Sequence, residues 1–327
     1  MAHFRSLLLL ALFTFSGVAV EATGPGDNGF VGLRDNYYRN SCKDAEKLIK
    51  KAVQAELAKN LKHAAGVLRM HFHDCFVEVT QKGVYDPMWI QSMNSLEDRG
   101  FEVIDAAKAA VEAVCPGVVS CADILAYAAR DSTVELNGTG WAVQGGRKDC
   151  TVSLASRAEA ELPPPMFEVS QLIDSFARRG LSARQMVVLS GAQTVGVGFC
   201  DKFVSRLYDF NSTFFTDPSI DPAYATELKN ICPQHSFNTS IEVFMDVITP
   251  TSAGVFEANY YKTLQEHKGL LTSDQSLFDD SRTRAVVTSL LNNRRFQKEF
   301  GKAMRAMGAV GVKTVGQIRT KCSAVNE

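Results

Sequence analysis

The chain has 327 residues, 46% of them hydrophobic, which is enough for one large core or two modest ones. Its 35 basic residues nearly balance 36 acidic ones, and no Lys/Arg block stands out, so composition offers no nucleic-acid or anionic-membrane partner. Beyond the N-terminus no stretch of about 18 uninterrupted apolar residues occurs, so no membrane span is expected.

Arg5 precedes an apolar run, Leu7 to Phe15, and small residues follow up to Ala22. This is the layout of a secretory signal peptide covering residues 1–22; a buried N-terminal helix is the plainer alternative. The mature chain, 23–327, would then be secreted to the cell exterior or wall, with the vacuole as another destination. Thr23 to Gly29 reads as a lead-in.

Helical periodicity dominates the rest. Ala45, Leu48, Ile49, Ala52, Val53 and Leu57 form one face of a helix from Lys43 to Lys59. A second helix is predicted from Leu61 to about Cys75, and a third from Phe101 to Val114, stopped by Cys115-Pro116-Gly117. Ser120 with Asp123 three residues on resembles a capping box that opens the next helix. Pro163, Pro164 and Pro165 interrupt the chain. Helices follow from Val169 to Arg179 and from Ala183 to about Gly191, and one long helical stretch runs from Ser281 to about Met307. Strand-like alternation is scarce, so the fold class is all-α, with two helical lobes meeting near the prolines.

All eight cysteines lie beyond the signal, an even count that argues for disulfides in an oxidising compartment. Three sequons, at Asn137, Asn211 and Asn238, agree with secretion.

The strongest chemical signal is Arg69-Met-His71-Phe72-His73-Asp74-Cys75-Phe76. Arg69 and His73, four apart, share a helix face and would present a fixed cation and a titratable base to one cavity. Splitting a peroxide bond needs both, a base to move the proton and a cation to stabilise developing charge. On residue types alone, an ordinary helix with two partly buried histidines accounts for the same pattern.

The motif resembles that of the plant secretory (class III) haem peroxidases, and further segments follow in that family's order. They include Arg99-Gly-Phe-Glu-Val-Ile-Asp105, Cys115-Pro-Gly-Val-Val-Ser-Cys-Ala-Asp-Ile-Leu125, Leu189-Ser-Gly-Ala192, Arg206-Leu-Tyr-Asp-Phe210, Tyr260-Tyr261 and Gly269-Leu-Leu-Thr-Ser-Asp-Gln275. The resemblance implies a two-lobed fold around haem b. The distal lobe would span about 33–163, the proximal lobe about 164–310, and a C-terminal tail would be tied back by Cys322. It implies hydrogen peroxide and small phenolic donors as substrates, and a monomer. Arg69 and His73 would be the distal pair, Phe72 the wall beside them, and Asn94 the partner of His73. Pro163 would stand at the donor channel, and Asp274 would orient the proximal ligand. The implied disulfides are Cys42–Cys115, Cys121–Cys322 and Cys200–Cys232. Asp123 and Arg147 match a buried ion pair.

Three departures qualify this. Where the family has its iron-binding histidine, this chain has Gln193, with no other histidine close in sequence. An amide is a far poorer donor than a neutral imidazole, so haem is expected to be weak or absent and peroxide-dependent oxidation weakened or lost. Gln193 as a tolerated weak ligand in a working enzyme is the competing reading. A catalytically inactive pseudo-peroxidase, kept as an extracellular binding or structural protein, is the alternative function. Second, the distal calcium loop reads Val79, Thr80, Gln81, Lys82, Gly83; Asp74 and the Val77 carbonyl remain, too few for a cation that takes about six to eight oxygens. Third, the other calcium site keeps Thr194, Asp246 and Thr249 but has Glu257 as its last carboxylate, so at most one calcium is expected. Cys75 loses its family partner to Thr80 and Cys150 is extra, which makes Cys75–Cys150 a candidate fourth bond.

Overall fold

The computed structural model describes residues 32–77, 100–149, 151, 160–234, 241–246, 254–313 and 315–326. The expected signal peptide, the loop Val79 to Gly83, Asn94, Cys150 and Thr249 lie outside the described residues.

Among the described residues, four amphipathic or buried helices build the first half. α1 (Ala45–Leu57) buries Ala45, Ile49, Val53 and Leu57 in i, i+4 steps. α2 (His63–Val77) carries the Arg69–His73 motif, and α3 (Phe101–Glu112) buries Val103, Ile104, Ala107 and Val111. α4 (Cys121–Glu135) is the central helix, buried on almost every side, and α1, α2 and α3 all pack against it. Ser120 caps α4 by accepting from the Asp123 amide at 3.1 Å. The reciprocal half of the expected capping box is not made. The Asp123 carboxylate turns inward instead, accepting from the Tyr38 hydroxyl (2.6 Å), the Gly146 amide (2.7 Å) and Arg147 Nη1 (2.8 Å). A buried carboxylate is better served by three donors, one of them a cation, than by one backbone amide.

Among the described residues, the helices beyond Pro163 are α5 (Val169–Ala177), α6 (Ala183–Ser190), α7 (Val204–Leu207), α8 (Pro222–Ile231), α9 (Asn259–Gln265), α10 (Thr272–Asp279), α11 (Ser281–Leu290) and α12 (Asn293–Met307). The single long helix expected from Ser281 is therefore two. Asn292 Oδ1 accepts from the Arg295 amide at 3.0 Å and starts α12 afresh. A short amide side chain that bonds the backbone favours a cap over a helix interior. The described strands form two small antiparallel ribbons, Arg34–Asp35 with Gln144–Gly145 and Val197–Phe199 with Glu242–Phe244.

The main hydrophobic core runs from Tyr38 to Met307 and draws on residues both before and after Pro163; a smaller core gathers around Phe203, Leu207, Tyr224 and Leu228. Disulfides Cys42–Cys115, Cys121–Cys322 and Cys200–Cys232 are formed. The second of these spans 201 positions and fixes the C-terminal tail to the start of α4. The candidate partner of Cys75, Cys150, lies outside the described residues. Cys75 is a buried free thiol turned toward His71, with Sγ 3.9 Å from Nδ1. Among the described residues no helix is long and apolar enough to cross a membrane.

Candidate functional site

α2 places Arg69 and His73 side by side, and Arg69 Nε donates to His73 Nε2 at 3.2 Å. Because Nε2 accepts, the proton of the neutral ring is on Nδ1. Burial, reinforced by the neighbouring guanidinium, holds the His73 pKa well below its ordinary value, so the ring is a neutral base. Arg69 lies deep enough for burial to lower its pKa to about 10, yet its side chain keeps solvent access. At neutral pH the guanidinium stays charged. Phe72 is half-buried, 5.6 Å from the His73 ring and 4.3 Å from Phe76 between centroids. Arg179, two residues past the end of α5, sits over the Phe76 ring and donates to the Phe76 carbonyl, which anchors the end of α2.

Gln193 sits in a 3-10 turn, Gly191–Thr194, directly after α6. Gly191 is required there, because a Cβ would overlap the Tyr261 hydroxyl and the Phe296 ring. Tyr261 in turn donates to the Val187 and Val188 carbonyls, fixing the turn to the helix. Gln193 Nε2 donates to Asp274 Oδ1 at 2.5 Å. A carboxylate only accepts, so the amide nitrogen must face Asp274 and the amide oxygen must point elsewhere. Asp274 is almost fully buried and takes two more donors, the Tyr260 hydroxyl (2.9 Å) and the Leu271 amide (3.1 Å). Burial still outweighs these three bonds and pushes its pKa up to about 6. Pro163 is half-buried, and its neighbour Pro165 accepts from the Ser273 amide, which ties the proline segment to the start of α10.

Of the candidate calcium ligands, Thr194 and Asp246 are brought together, with Oγ1 donating to Asp246 Oδ2 at 3.2 Å, and both are buried. Burial and the nearby Asp246 charge raise the Glu257 pKa, which places that carboxylate in the same neighbourhood. Three oxygen-bearing side chains with two anions suit a hard cation. On the other side Asp74 is half-buried and Val77 buried at the end of α2. His71, Asp74 and Cys75 hold ligand atoms within 4.8 Å of one another. Burial pushes the thiol up and the histidine down, and the Arg147 charge reaches both, so a cation is disfavoured there.

Two residues that the sequence reading left without a role complete the site. Tyr260 is buried, keeps its proton well above the ordinary phenol range, and donates to Asp274. Arg206 pairs with Asp217 at 2.7 Å and donates to the carbonyls of Gly269 and Leu270, just before Asp274. The signal available for Arg206 was a cation within an otherwise apolar helical segment.

A family model described as Peroxidase matches residues 49–293. Peroxidase 5 of Vitis vinifera is 44% identical over 308 residues, covering 90% of this chain and 92% of its own. Peroxidase 71 of Arabidopsis thaliana is 42% identical over 339 residues, covering 98% and 99%, and Peroxidase 55 of the same plant is 41% identical over 308 residues, covering 90% and 91%. With the family model matched over most of its length and relatives 41–44% identical over at least nine-tenths of both chains, this all-α chain belongs to the plant class III haem peroxidase family.

Proposed function

We propose that this protein is a secreted peroxidase-family haem protein in which hydrogen-peroxide-dependent oxidation of phenolic donors is weakened or lost at one position, Gln193. Haem b, when bound, supplies the redox-active iron at which peroxide is reduced and donors are oxidised. The chain's own residues would handle the proton and the charge. His73, neutral by burial, is suited to take a proton from the near oxygen of peroxide at Nε2 and return it to the far oxygen, while Arg69 offsets the negative charge that develops there. Phe72 walls the distal side.

The observation that carries the reading is the Gln193–Asp274 hydrogen bond. It commits the amide nitrogen, so the only donor left for iron is Oε1. A neutral amide oxygen would be a weak donor to haem iron, and Asp274 then orients an amide where it would otherwise raise the basicity of an imidazole. Thr194, Asp246, Glu257 and Thr249 are the residues that would hold the one calcium.

A second reading, a catalytically silent fold kept as an extracellular binding protein, is supported by the same amide. Steady-state oxidation of a phenolic donor by the haem-reconstituted full chain decides between them. Turnover about a hundredfold or more below a histidine-bearing relative, a loss of roughly 3 kcal/mol, agrees with the proposal. No measurable turnover even in Gln193→His favours the silent fold, and turnover equal to the relative overturns both.

A further inference from the structure

We propose that His71, Asp74 and Cys75 form a zinc site near the end of α2, on the side of the helix turned away from Arg69 and His73. Their ligand atoms, an imidazole nitrogen, a carboxylate oxygen and a sulfur, all lie within 4.8 Å of one another. The sequence spacing explains the convergence. Positions i, i+3 and i+4 share a helix face, and at about 100° per residue the three fall within an arc of about 100°. The middle of that arc stands about 170° from the middle of the Arg69–His73 face. The cluster is therefore separate from the pair that would handle peroxide. His71 and Cys75 are buried and Asp74 is half-buried, so the donors sit at the edge of the core and not within it.

The donor set selects zinc over a hard cation. Thiolate and imidazole suit zinc, and a carboxylate is a common further ligand, with the fourth position left to water. With Zn–S about 2.3 Å and Zn–N about 2.0–2.1 Å, tetrahedral geometry sets sulfur and nitrogen about 3.5 Å apart. Cys75 Sγ and His71 Nδ1 stand 3.9 Å apart, so small side-chain rotations close the difference. Among the described residues this contact is the one hydrogen bond that either side chain makes, and it is a long one. Two buried polar groups are thus weakly served and aimed at each other, where interiors usually supply better partners. Burial takes the His71 pKa down to about 3, which leaves the neutral imidazole that a metal needs. What disfavours a cation here, burial and the Arg147 charge, acts on one that meets a protonated thiol. Zinc displaces that proton. The two charges of the ion are then matched by the Cys75 thiolate and the Asp74 carboxylate, and Arg147 favours the thiolate. Cys75 has no family partner at Thr80 and the neighbouring calcium loop lacks its oxygens, so zinc held across this turn would clamp a helix end that has lost both restraints.

The test uses the full chain with its disulfides and glycans in place, dialysed free of transition metal and kept in calcium. Cobalt(II) is the probe, because a thiolate bound to it gives a charge-transfer absorption that oxygen ligands do not. Each spectrum is read against the same protein without cobalt. The expected result is one cobalt per chain with that absorption, displaced by zinc and not by excess calcium. Cys75→Ser should remove the absorption. Asp74→Asn, which keeps the shape of the side chain, should weaken zinc binding by about tenfold or more. Zinc should raise the thermal midpoint of wild type and leave that of Asp74→Asn unmoved, a comparison that stands even where Cys75→Ser fails to fold. His267→Ala, at an exposed histidine, should change neither reading. No thiolate absorption in wild type, the same absorption in Cys75→Ser, or peptide mapping that finds Cys75 in a disulfide would overturn the proposal.

Discussion

Asp274→Asn isolates the electrostatics at the base of the site. The Asp274 carboxylate is buried, and its pKa stands at about 6 against 3.8 for an ordinary aspartate. The folded state therefore takes up a proton near pH 6 that the unfolded chain takes up only near pH 4. Above that window the folded protein carries a buried charge at a cost of about 3 kcal/mol, and the cost is relieved as pH falls. The variant has no such titration. It does lose an acceptor. Asp274 accepts from Gln193 and Tyr260 on one oxygen and from Leu271 on the other, and an asparagine amide can serve only one side. That mismatch costs about 1–3 kcal/mol at any pH. Near pH 7 the two effects offset and the proteins should be close in stability. At about pH 4.5 wild type should gain on the variant by roughly 2 kcal/mol. Urea unfolding of the haem-free, disulfide-intact proteins at both pH values reads the difference directly. A gap that stays constant, or closes toward low pH, would refute the burial argument.

Three further outcomes follow. In a Gln193→His background, His73→Leu should lower peroxide-dependent oxidation by about 10²–10⁴-fold; a smaller loss would remove His73 from the proton-handling role. Arg206→Ala strands Asp217 in the interior and releases the Gly269 and Leu270 carbonyls, so unfolding free energy should drop by about 3–5 kcal/mol, and a drop under about 1 kcal/mol would contradict the reading of that pair as buried and coupled. Metal analysis after dialysis should find at most one calcium per chain, lost in Asp246→Ala; two tightly held ions would mean that the loop after Val77 coordinates after all.

Much of the helical frame was legible from apolar spacing, because α1 and α3 bury simple i, i+4 faces. The Arg69–His73 pair was legible for the same reason, being two side chains on one helix. What spacing could not show was competition for side chains. Asp123 reads locally as a helix-cap acid, yet it serves Arg147, Tyr38 and Gly146, partners at a long sequence distance. Asn292 looks like one polar residue within a long helix, and its cap bond splits that helix in two. Tyr260 became part of the site only when the fold set its hydroxyl against Asp274. Gln193 stood out as a substitution, but which amide atom remains for iron is decided by Asp274, some 81 positions away.

The central claim, that Gln193 can offer iron only an amide oxygen, is tested most directly by haem retention. Wild type and Gln193→His are reconstituted with ferric haem b, their absorption and magnetic circular dichroism spectra recorded, and haem transfer to excess apomyoglobin timed. The account predicts that wild type lacks the spectrum of a histidine-ligated iron and gives up its haem faster than Gln193→His, which gains both the spectrum and the retention. A wild-type protein that holds haem as long as the variant, with the same nitrogen-ligated spectrum, would contradict it.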